Sequence, residues 1–195
     1  MAHDREERIN GILKATVRVL AEKGYDNATI ADISKAANVA RGALHYYFSS
    51  KEDLVTRALT NSSSYMVNSS LEGLKGMCAE EVVDNVINVH KKNICENSDF
   101  YSFLFEMWCA GRRSKKIKKE LIICQGKVVN AIKEWLETAS KQGIIKINLN
   151  ESETLATVLL GITDGTAFEL IDHPEKLNDK KVWTILRKVI LAVLK

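Results

Sequence analysis

The side chains of this chain with the clearest capacity for recognition lie close together. Arg41, His45 and Tyr46 recur at spacings that place them on one face of a short helix, and Lys51 begins the next helix. A guanidinium can donate two hydrogen bonds to the paired acceptors of a guanine edge, and an ammonium beside free backbone N–H groups suits a phosphate. Gly42 lets the backbone approach a surface closely. These groups predict a protein that binds double-stranded DNA.

The residues around this face predict a helix-turn-helix that positions it. Residues 29–32 (TIAD) form a capping box that begins a short helix. Asn38 tolerates the left-handed conformation that a sharp turn requires, and Val39 is expected to be the buried pin between the two helices. The second helix spans residues 41–48, and another capping box at residues 50–53 begins a third. A second helix of this size fits the major groove, which is about 12 Å wide.

The same stretch resembles the N-terminal signature of the TetR family of transcriptional regulators. The matching segments are Gly24-Tyr25, residues 29–33 (TIADI), residues 42–48 (GALHYYF) and residues 50–54 (SKEDL). This sequence departs from the pattern at three positions. Ala40 replaces a capping Ser or Thr, Ala43 replaces Thr, and His45 replaces Tyr.

The resemblance implies an all-α protein. An N-terminal three-helix helix-turn-helix DNA-binding domain, residues 1–50, is followed by a helical ligand-binding and dimerisation domain, residues 51–195, whose first helix is a linker from about residue 51. It also implies that Lys51 and His45 contact phosphates, and that the hydroxyl of the half-buried Tyr47 can reach one. The residues expected to contact DNA are Thr29, Arg41, Gly42, His45, Tyr46, Tyr47 and Lys51.

Composition restricts the class of protein. The chain has 195 residues, a net charge of +3 and one proline, which is typical of a globular protein rich in helices. No apolar run approaches the ~20 residues of a membrane span, and the charged start lacks a signal peptide, so we expect a cytoplasmic protein. The four cysteines, far apart and without metal-ligand spacing, are expected to be small buried apolar residues, with a redox pair as the alternative.

Helical periodicity continues to the end of the chain. A first helix, capped by Asp4 with Glu7, ends at Gly24, and the linker helix ends at Gly73 and Gly76. Five more helices are predicted, at about 80–96, 100–111, 115–141, 150–171 and 179–195, with Asn150 and Glu153 capping the fourth of them. The last two carry so much apolar surface that we expect self-association to cover it, with burial in a larger core of one subunit as the alternative. In TetR-like proteins these helices form a dimer, and a two-fold dimer would match a palindromic operator.

Two further groups of residues are candidate binding sites. Polar and aromatic side chains on otherwise apolar helices predict an effector pocket, with a hydrogen-bonded or plain apolar core as the alternative. The residues of this predicted pocket are His90, Tyr101, Phe105, Trp108, Trp135, Asp164 and Phe168. Residues 112–119 (RRSKKIKK) carry six cations at a helix start, where the helix dipole disfavours them. A solvated face is the simplest explanation, and an anionic effector or contact with DNA or membrane phosphates is the alternative.

The sequence therefore predicts a dimeric repressor that a small-molecule effector releases from its operator. A DNA-binding dimer without a small-molecule effector, controlled by a protein partner, is the alternative. No hydrolase, metalloprotease, phosphate-loop or dinucleotide signature occurs, so we expect no enzyme, no cofactor and no metal site.

Overall fold

The structure, a computed structural model, describes the backbone of residues 2–71 and 77–194, and the side chains of residues 5–64 and 77–194. The described residues form α-helices and two short 3-10 helices, without a strand. The α-helices are α1 (Ala2–Asn27), α2 (Ile30–Ala36), α3 (Arg41–Tyr47), α4 (Lys51–Leu71), α5 (Ala79–Glu96), α6 (Ser98–Gly111), α7 (Lys115–Lys141), α8 (Ser152–Asp172) and α9 (Lys180–Leu194). The all-α prediction is confirmed, and Gly73 and Gly76 lie outside the described residues.

The chain divides into two compact units. The first contains residues 1–64 and 99–124, and the second contains residues 65–98 and 125–195. Helices α1–α3 therefore share a unit with most of α6 and the start of α7. Two helices, α4 and α7, begin in the first unit and continue into the second.

The local signals for the helix-turn-helix are confirmed. Thr29 caps α2 through a complete box with Asp32. Asn38 has a φ of 53°, the left-handed conformation that the turn requires. Val39 is half-buried rather than fully buried, and its carbonyl accepts a hydrogen bond of 2.6 Å from the hydroxyl of Ser34. Gly24 breaks the helical path of α1 with a φ of 74°, where a glycine is preferred.

Several expectations about the remaining helices are wrong in detail. Helix α1 begins at Ala2, so Asp4 lies inside the helix and is not its cap. Asn150 does not cap α8, because a 3-10 helix at Leu149–Glu151 precedes it and Asn148 accepts the capping hydrogen bond from the backbone of Asn150.

The expectation that all four cysteines are buried is also wrong. Cys78, Cys95 and Cys109 are exposed, and only Cys124 is buried. The exposed three lie on the outer faces of amphipathic helices or at a helix start, where a small side chain is tolerated without packing.

Helix α8 has an unusual combination of composition and exposure. The segment Leu149–Asp172 reaches a mean hydropathy of 1.3 over 18 residues, yet only 17% of that window is buried. By length and composition alone it is the one described helix that could cross a membrane, which differs from the prediction that no segment could. A helix at a subunit interface has the same composition, so this property is weak evidence for a membrane segment.

Candidate nucleic-acid interface

Helix α3 presents a polar face that its buried residues hold in place. Leu44 and Phe48 are almost completely buried, which fixes the rotation of the helix. Arg41 and His45 are exposed on the opposite side, and Tyr46 is 77% exposed. An aromatic side chain this exposed buries little of its surface within the protein. The face therefore presents the guanidinium of Arg41, the imidazole of His45 and the hydroxyl of Tyr46 to the surface.

Tyr47 lies at the border between the buried and the exposed side of α3. Its ring is half-buried and stands edge-on to Tyr46, with ring centroids 5.0 Å apart. The guanidinium of Arg5 in α1 lies 5.7 Å from the Tyr47 ring centroid. These two contacts restrict the orientation of the Tyr47 ring, and they therefore fix the direction of its hydroxyl.

The N-terminus of α2 is exposed and is held by a set of side-chain hydrogen bonds. The hydroxyl of Thr29 donates to the carboxylate of Asp32 at 2.6 Å and accepts from the Asp32 backbone N–H at 3.1 Å. Lys23 also binds Asp32, at 2.6 Å. Hydrogen bonds from Lys23, and then from Thr29, hold the pKa of Asp32 well below its usual range. The carboxylate therefore stays ionised and the cap stays formed at neutral pH.

Lys51, the expected phosphate ligand at the start of α4, is engaged within the protein. Its ammonium donates a hydrogen bond to the carbonyl of Tyr25 and lies 4.5 Å from the centroid of the Tyr25 ring. Burial lowers the pKa of Lys51, while the charges of Asp26 and Asp32 oppose this effect. An ammonium has three donors, so one bond to Tyr25 leaves capacity for a phosphate.

Glu106 of α6 holds the end of α1. Its carboxylate accepts a hydrogen bond of 3.0 Å from the backbone N–H of Tyr25. A Cβ atom on the neighbouring Gly24 would lie 3.1 Å from the same carboxylate oxygen, so the glycine permits this close approach. The carboxylate thus satisfies a backbone donor that the break at Gly24 leaves without a helical partner.

Two further contacts connect the turn between α6 and α7 to α1 and to α4. Arg113 pairs with Asp26 at 2.5 Å, and the hydroxyl of Ser114 hydrogen-bonds Glu52. We call these two contacts and the Glu106–Tyr25 bond the latch. Sequence reasoning missed the latch, because its partners are 62 to 87 residues apart and no spacing rule connects them.

The residues expected to line an effector pocket divide between the two units. Tyr101, Phe105 and Trp108 belong to the first unit, where Tyr101 is buried and the other two are exposed by about half. The other four belong to the second unit, where His90 is buried and the remaining three are half-buried: His90, Trp135, Asp164 and Phe168.

An apolar cavity lies inside the second unit. Its volume is about 90 Å³, and it is lined by residues of α5, α7, α8 and α9. Trp135, from the expected set, is one of its walls. The lining residues are Val82, Val83, Val86, Ile132, Trp135, Leu159, Thr163, Ile190 and Leu194. Ligand pockets for drug-sized molecules are typically about 300–1,000 Å³, so this cavity is smaller than such a pocket.

Two titratable groups of the second unit have strongly shifted pKa values. Burial lowers the pKa of His90 to about 4, although a hydrogen bond with the backbone of Thr163 partly opposes the shift. Burial raises the pKa of Asp164, the next residue along α8, to about 6. Both groups are therefore largely neutral between these values. Among the described residues, no three His, Cys, Asp or Glu side chains form a group that could hold a metal ion.

Comparison with known proteins agrees with this geometry. Residues 12–58 match the family model described as bacterial regulatory proteins, tetR family. The HTH-type transcriptional regulator PksA of Bacillus subtilis (strain 168) is 20% identical over 97% of this chain and 91% of its own length.

Two more comparisons bear on regulation and on fold. The negative transcriptional regulator IcaR of the biofilm operon icaADBC in Staphylococcus epidermidis is 32% identical, over 29% of this chain and 31% of its own. The crystal structure of the transcriptional regulator FadR from Bacillus subtilis, in complex with stearoyl-CoA, aligns with a TM-score of 0.78 at 20% identity. It covers 95% of this chain and 98% of that one.

Proposed function

This chain belongs to the TetR family of bacterial transcriptional regulators, and from that premise we propose that it is a dimeric repressor released from a palindromic operator by a small-molecule effector. The observation that carries the proposal is the exposed polar face of α3, held in position by buried Leu44 and Phe48. IcaR, a negative regulator, supports repression as the mode of action. Such a protein acts on DNA in the cytoplasm.

In this proposal the exposed face of α3 reads bases. Arg41 is placed to donate to a guanine edge, and Gly42 permits close approach of the backbone. Thr29, Tyr47 and Lys51 lie at the ends of helices or at the border of the face, where groups that bind phosphate set the orientation of a reading helix. His45 and Tyr46 supply further donors on the same face.

The exposed apolar surface of α9 supports a homodimer. Ile185, Val189 and Val193 follow one another at every fourth residue, and they are 56%, 42% and 38% exposed. They form one continuous stripe beside the buried face of α9. A monomer would leave this stripe in water, and a second copy of the chain would cover it about a two-fold axis.

Helix α8 offers a second surface for the same partner. Gly161 and Gly165 are four residues apart, and a Cβ on either would meet nothing within 4 Å in the protomer. A glycine inside a helix costs about 1 kcal/mol relative to alanine, and nothing within the protomer requires it here. Close approach of a helix from the partner subunit supplies the missing reason, and Val158, which is 48% exposed, lies beside it.

The apolar cavity is the proposed start of an effector site. Its lining is almost entirely apolar, and it is too small for most ligands as it stands. An effector with an apolar portion would have to widen it by moving the helices that form its walls, and His90 and Asp164 on two of these helices could serve a polar group. FadR, which binds stearoyl-CoA, shares the fold and supports a ligand of this kind.

Movement of these helices would reach the DNA-reading helices through chain continuity. Helix α7 forms a wall of the cavity and begins beside the latch. Within the first unit, Glu120 of α7 also accepts a hydrogen bond of 2.6 Å from Thr60 of α4. A shift of α7 along its axis would therefore pull on α4 and on the latch. A hundredfold change in DNA affinity requires about 2.7 kcal/mol of coupling.

The experiment that tests this function is selection of binding sites from a random duplex DNA pool at a fixed salt concentration. We expect a palindrome with two half-sites, since a two-fold dimer presents two copies of α3. Arg41→Ala should weaken binding to the selected site about tenfold and relax one base position, because a bidentate contact discriminates by about 1–3 kcal/mol. Lys51→Ala should weaken binding to all sequences alike.

The matched control is Arg18→Ala, which removes an exposed guanidinium of α1 that hydrogen-bonds the carbonyl of Ala36 at 3.3 Å. Its binding should remain near that of the wild type. A folded dimer that enriches no motif would contradict the proposed function. A palindrome bound without response to any small molecule would favour the variant in which a protein partner controls the dimer.

The latch makes a separate prediction about operator spacing. One base pair inserted between the half-sites of the operator increases their separation by about 3.4 Å and rotates one half-site relative to the other about the helix axis. The wild type should bind it at least tenfold more weakly than the selected operator. The double variant Glu106→Gln/Arg113→Gln should lose only about threefold, because neutral amides hold the Tyr25 N–H and the Asp26 carboxylate less firmly than the charged groups do. Fluorescence anisotropy with the two duplexes measures both ratios.

The control for this prediction is Asp84→Asn/Arg187→Gln, which removes an exposed ion pair of 2.5 Å from the second unit. It should keep the spacing preference of the wild type. If the latch variant discriminates between the two duplexes as strongly as the wild type does, the latch does not fix the position of the reader.

A further inference from the structure

A dense group of cations lies where the turn after α6 meets the start of α7. Arg112, Lys115, Lys116, Lys118 and Lys119, which we call the basic edge, are all exposed. Lys116 interacts electrostatically with Asp53. Within the part of the chain that the structure describes, the other four make no ion pair. The edge therefore carries four positive charges without an ion-pair partner among the described residues.

The basic edge works against the helix that carries it. Positive charge in the first turn of α7 opposes the helix dipole. Lys115 also faces Lys118 and Lys119 three and four residues on, where like charges repel each other. Because the helix dipole and the like-charge pairs both disfavour these cations, their arrangement points to an anion outside the protein.

The latch fixes where the basic edge lies in the first unit. Arg113 binds Asp26, which precedes the exposed Thr29 cap of α2 by three residues. Ser114 binds Glu52, the neighbour of Lys51 at the start of α4. The basic edge is thus attached beside the two helix ends that carry the proposed phosphate ligands Thr29 and Lys51.

We propose that the basic edge binds the phosphates of the duplex that flanks each half-site. The inference rests on the proposed function, and it extends the DNA contact beyond the residues of the helix-turn-helix. Charges act over about 8–10 Å at physiological ionic strength, which is comparable to the reach of the lysine side chains from an edge anchored beside Lys51. Contact with flanking phosphates adds affinity without sequence preference.

The test compares two duplexes with the full-length dimer. One is trimmed to the selected operator, and the other extends it by about 10 base pairs on each side, one helical turn. Lys115→Gln/Lys118→Gln should bind the extended duplex about tenfold more weakly at low salt. Its plot of log K against log salt should be less steep by about 0.9 for each phosphate that the variant no longer neutralises. Binding to the trimmed duplex should change little, and the melting temperature should stay the same or rise.

The matched control is Lys127→Gln/Lys141→Gln, which removes the same charge from exposed positions farther along α7. It should keep the wild-type salt dependence. The proposal is overturned if the test variant keeps the wild-type slope, if both duplexes lose affinity equally, or if the control variant loses as much.

Two other outcomes also decide the question. If the variant binds DNA normally but loses binding to vesicles that contain phosphatidylglycerol, the edge binds a membrane and the proposal is overturned. Failure of the proposed function is different, since the wild type itself would then select no site from the random pool, and this inference would fall with it.

Discussion

Ile185→Glu/Val189→Glu is expected to convert the protein into a monomer and to weaken operator binding about 1,000-fold. Both side chains belong to the exposed apolar stripe of α9, and in the proposed dimer each would be covered by the partner subunit. A carboxylate placed there would lose its hydration without gaining a partner. Joining two readers in one dimer raises affinity by about 10²–10⁴-fold, and the monomer loses that gain.

The measurements are sedimentation velocity for the oligomeric state and anisotropy for the affinity. The matched control is Thr184→Glu/Lys188→Gln, which changes the net charge by the same amount on the other flank of the exposed face of α9. This control should remain a dimer with wild-type affinity. A dimer that survives the substitutions at 185 and 189 would show that the subunits associate through another surface.

The second large effect concerns the pH dependence of stability. Asp164 has a pKa of about 6 in the folded protein, above the ordinary 3.8. Its contribution to the free energy of unfolding is therefore fully present below pH 3.8 and is lost as the pH rises to about 6. His90 has a pKa of about 4, below the ordinary 6.5, so its contribution is lost as the pH falls from 6.5 to about 4. Over pH 4–6 the two effects oppose each other.

Each shift corresponds to about 3 kcal/mol, since one pKa unit is about 1.4 kcal/mol. In the wild type they largely cancel. In Asp164→Asn only the His90 effect remains, so the free energy of unfolding should rise by about 2–3 kcal/mol relative to the wild type between pH 4 and 6.5. His90→Gln should show the opposite trend. Urea unfolding at a fixed protein concentration measures the free energy of unfolding of each variant. In the difference between a variant and the wild type, the contributions of the carboxylates that both proteins share cancel.

Asp172→Asn is the matched control, because Asp172 is an exposed acid on the same helix. Its stability should follow that of the wild type across the pH range. If the stability of Asp164→Asn also follows that of the wild type across the pH range, the pKa of Asp164 is not raised in the folded protein. Burial of this carboxyl would then not affect the pH dependence of stability.

Local sequence determined the helix-turn-helix with little help from the rest of the chain. The Thr29–Asp32 box, the left-handed Asn38 and the exposed face of α3 all follow from residues within a few positions of each other, whose hydrogen bonds and dihedral angles are local. The prediction for the cap of α8 is wrong for a related reason. Asn150 is a good cap by residue type, but it lies inside a 3-10 helix that Asn148 caps, and α8 itself begins after Glu151 without a side-chain cap.

The tertiary structure alone decided which distant residues meet. Glu106 and Tyr25 are 81 positions apart, and Arg113 and Asp26 are 87 apart. Composition also could not tell that three cysteines are exposed, or that Trp135 lines an apolar cavity while Phe105 and Trp108 are exposed by about half. Helical periodicity predicts that one face of a helix is apolar, but it does not predict which element packs against that face. That depends on which helices pack together, and packing is set by the shapes of all side chains at once.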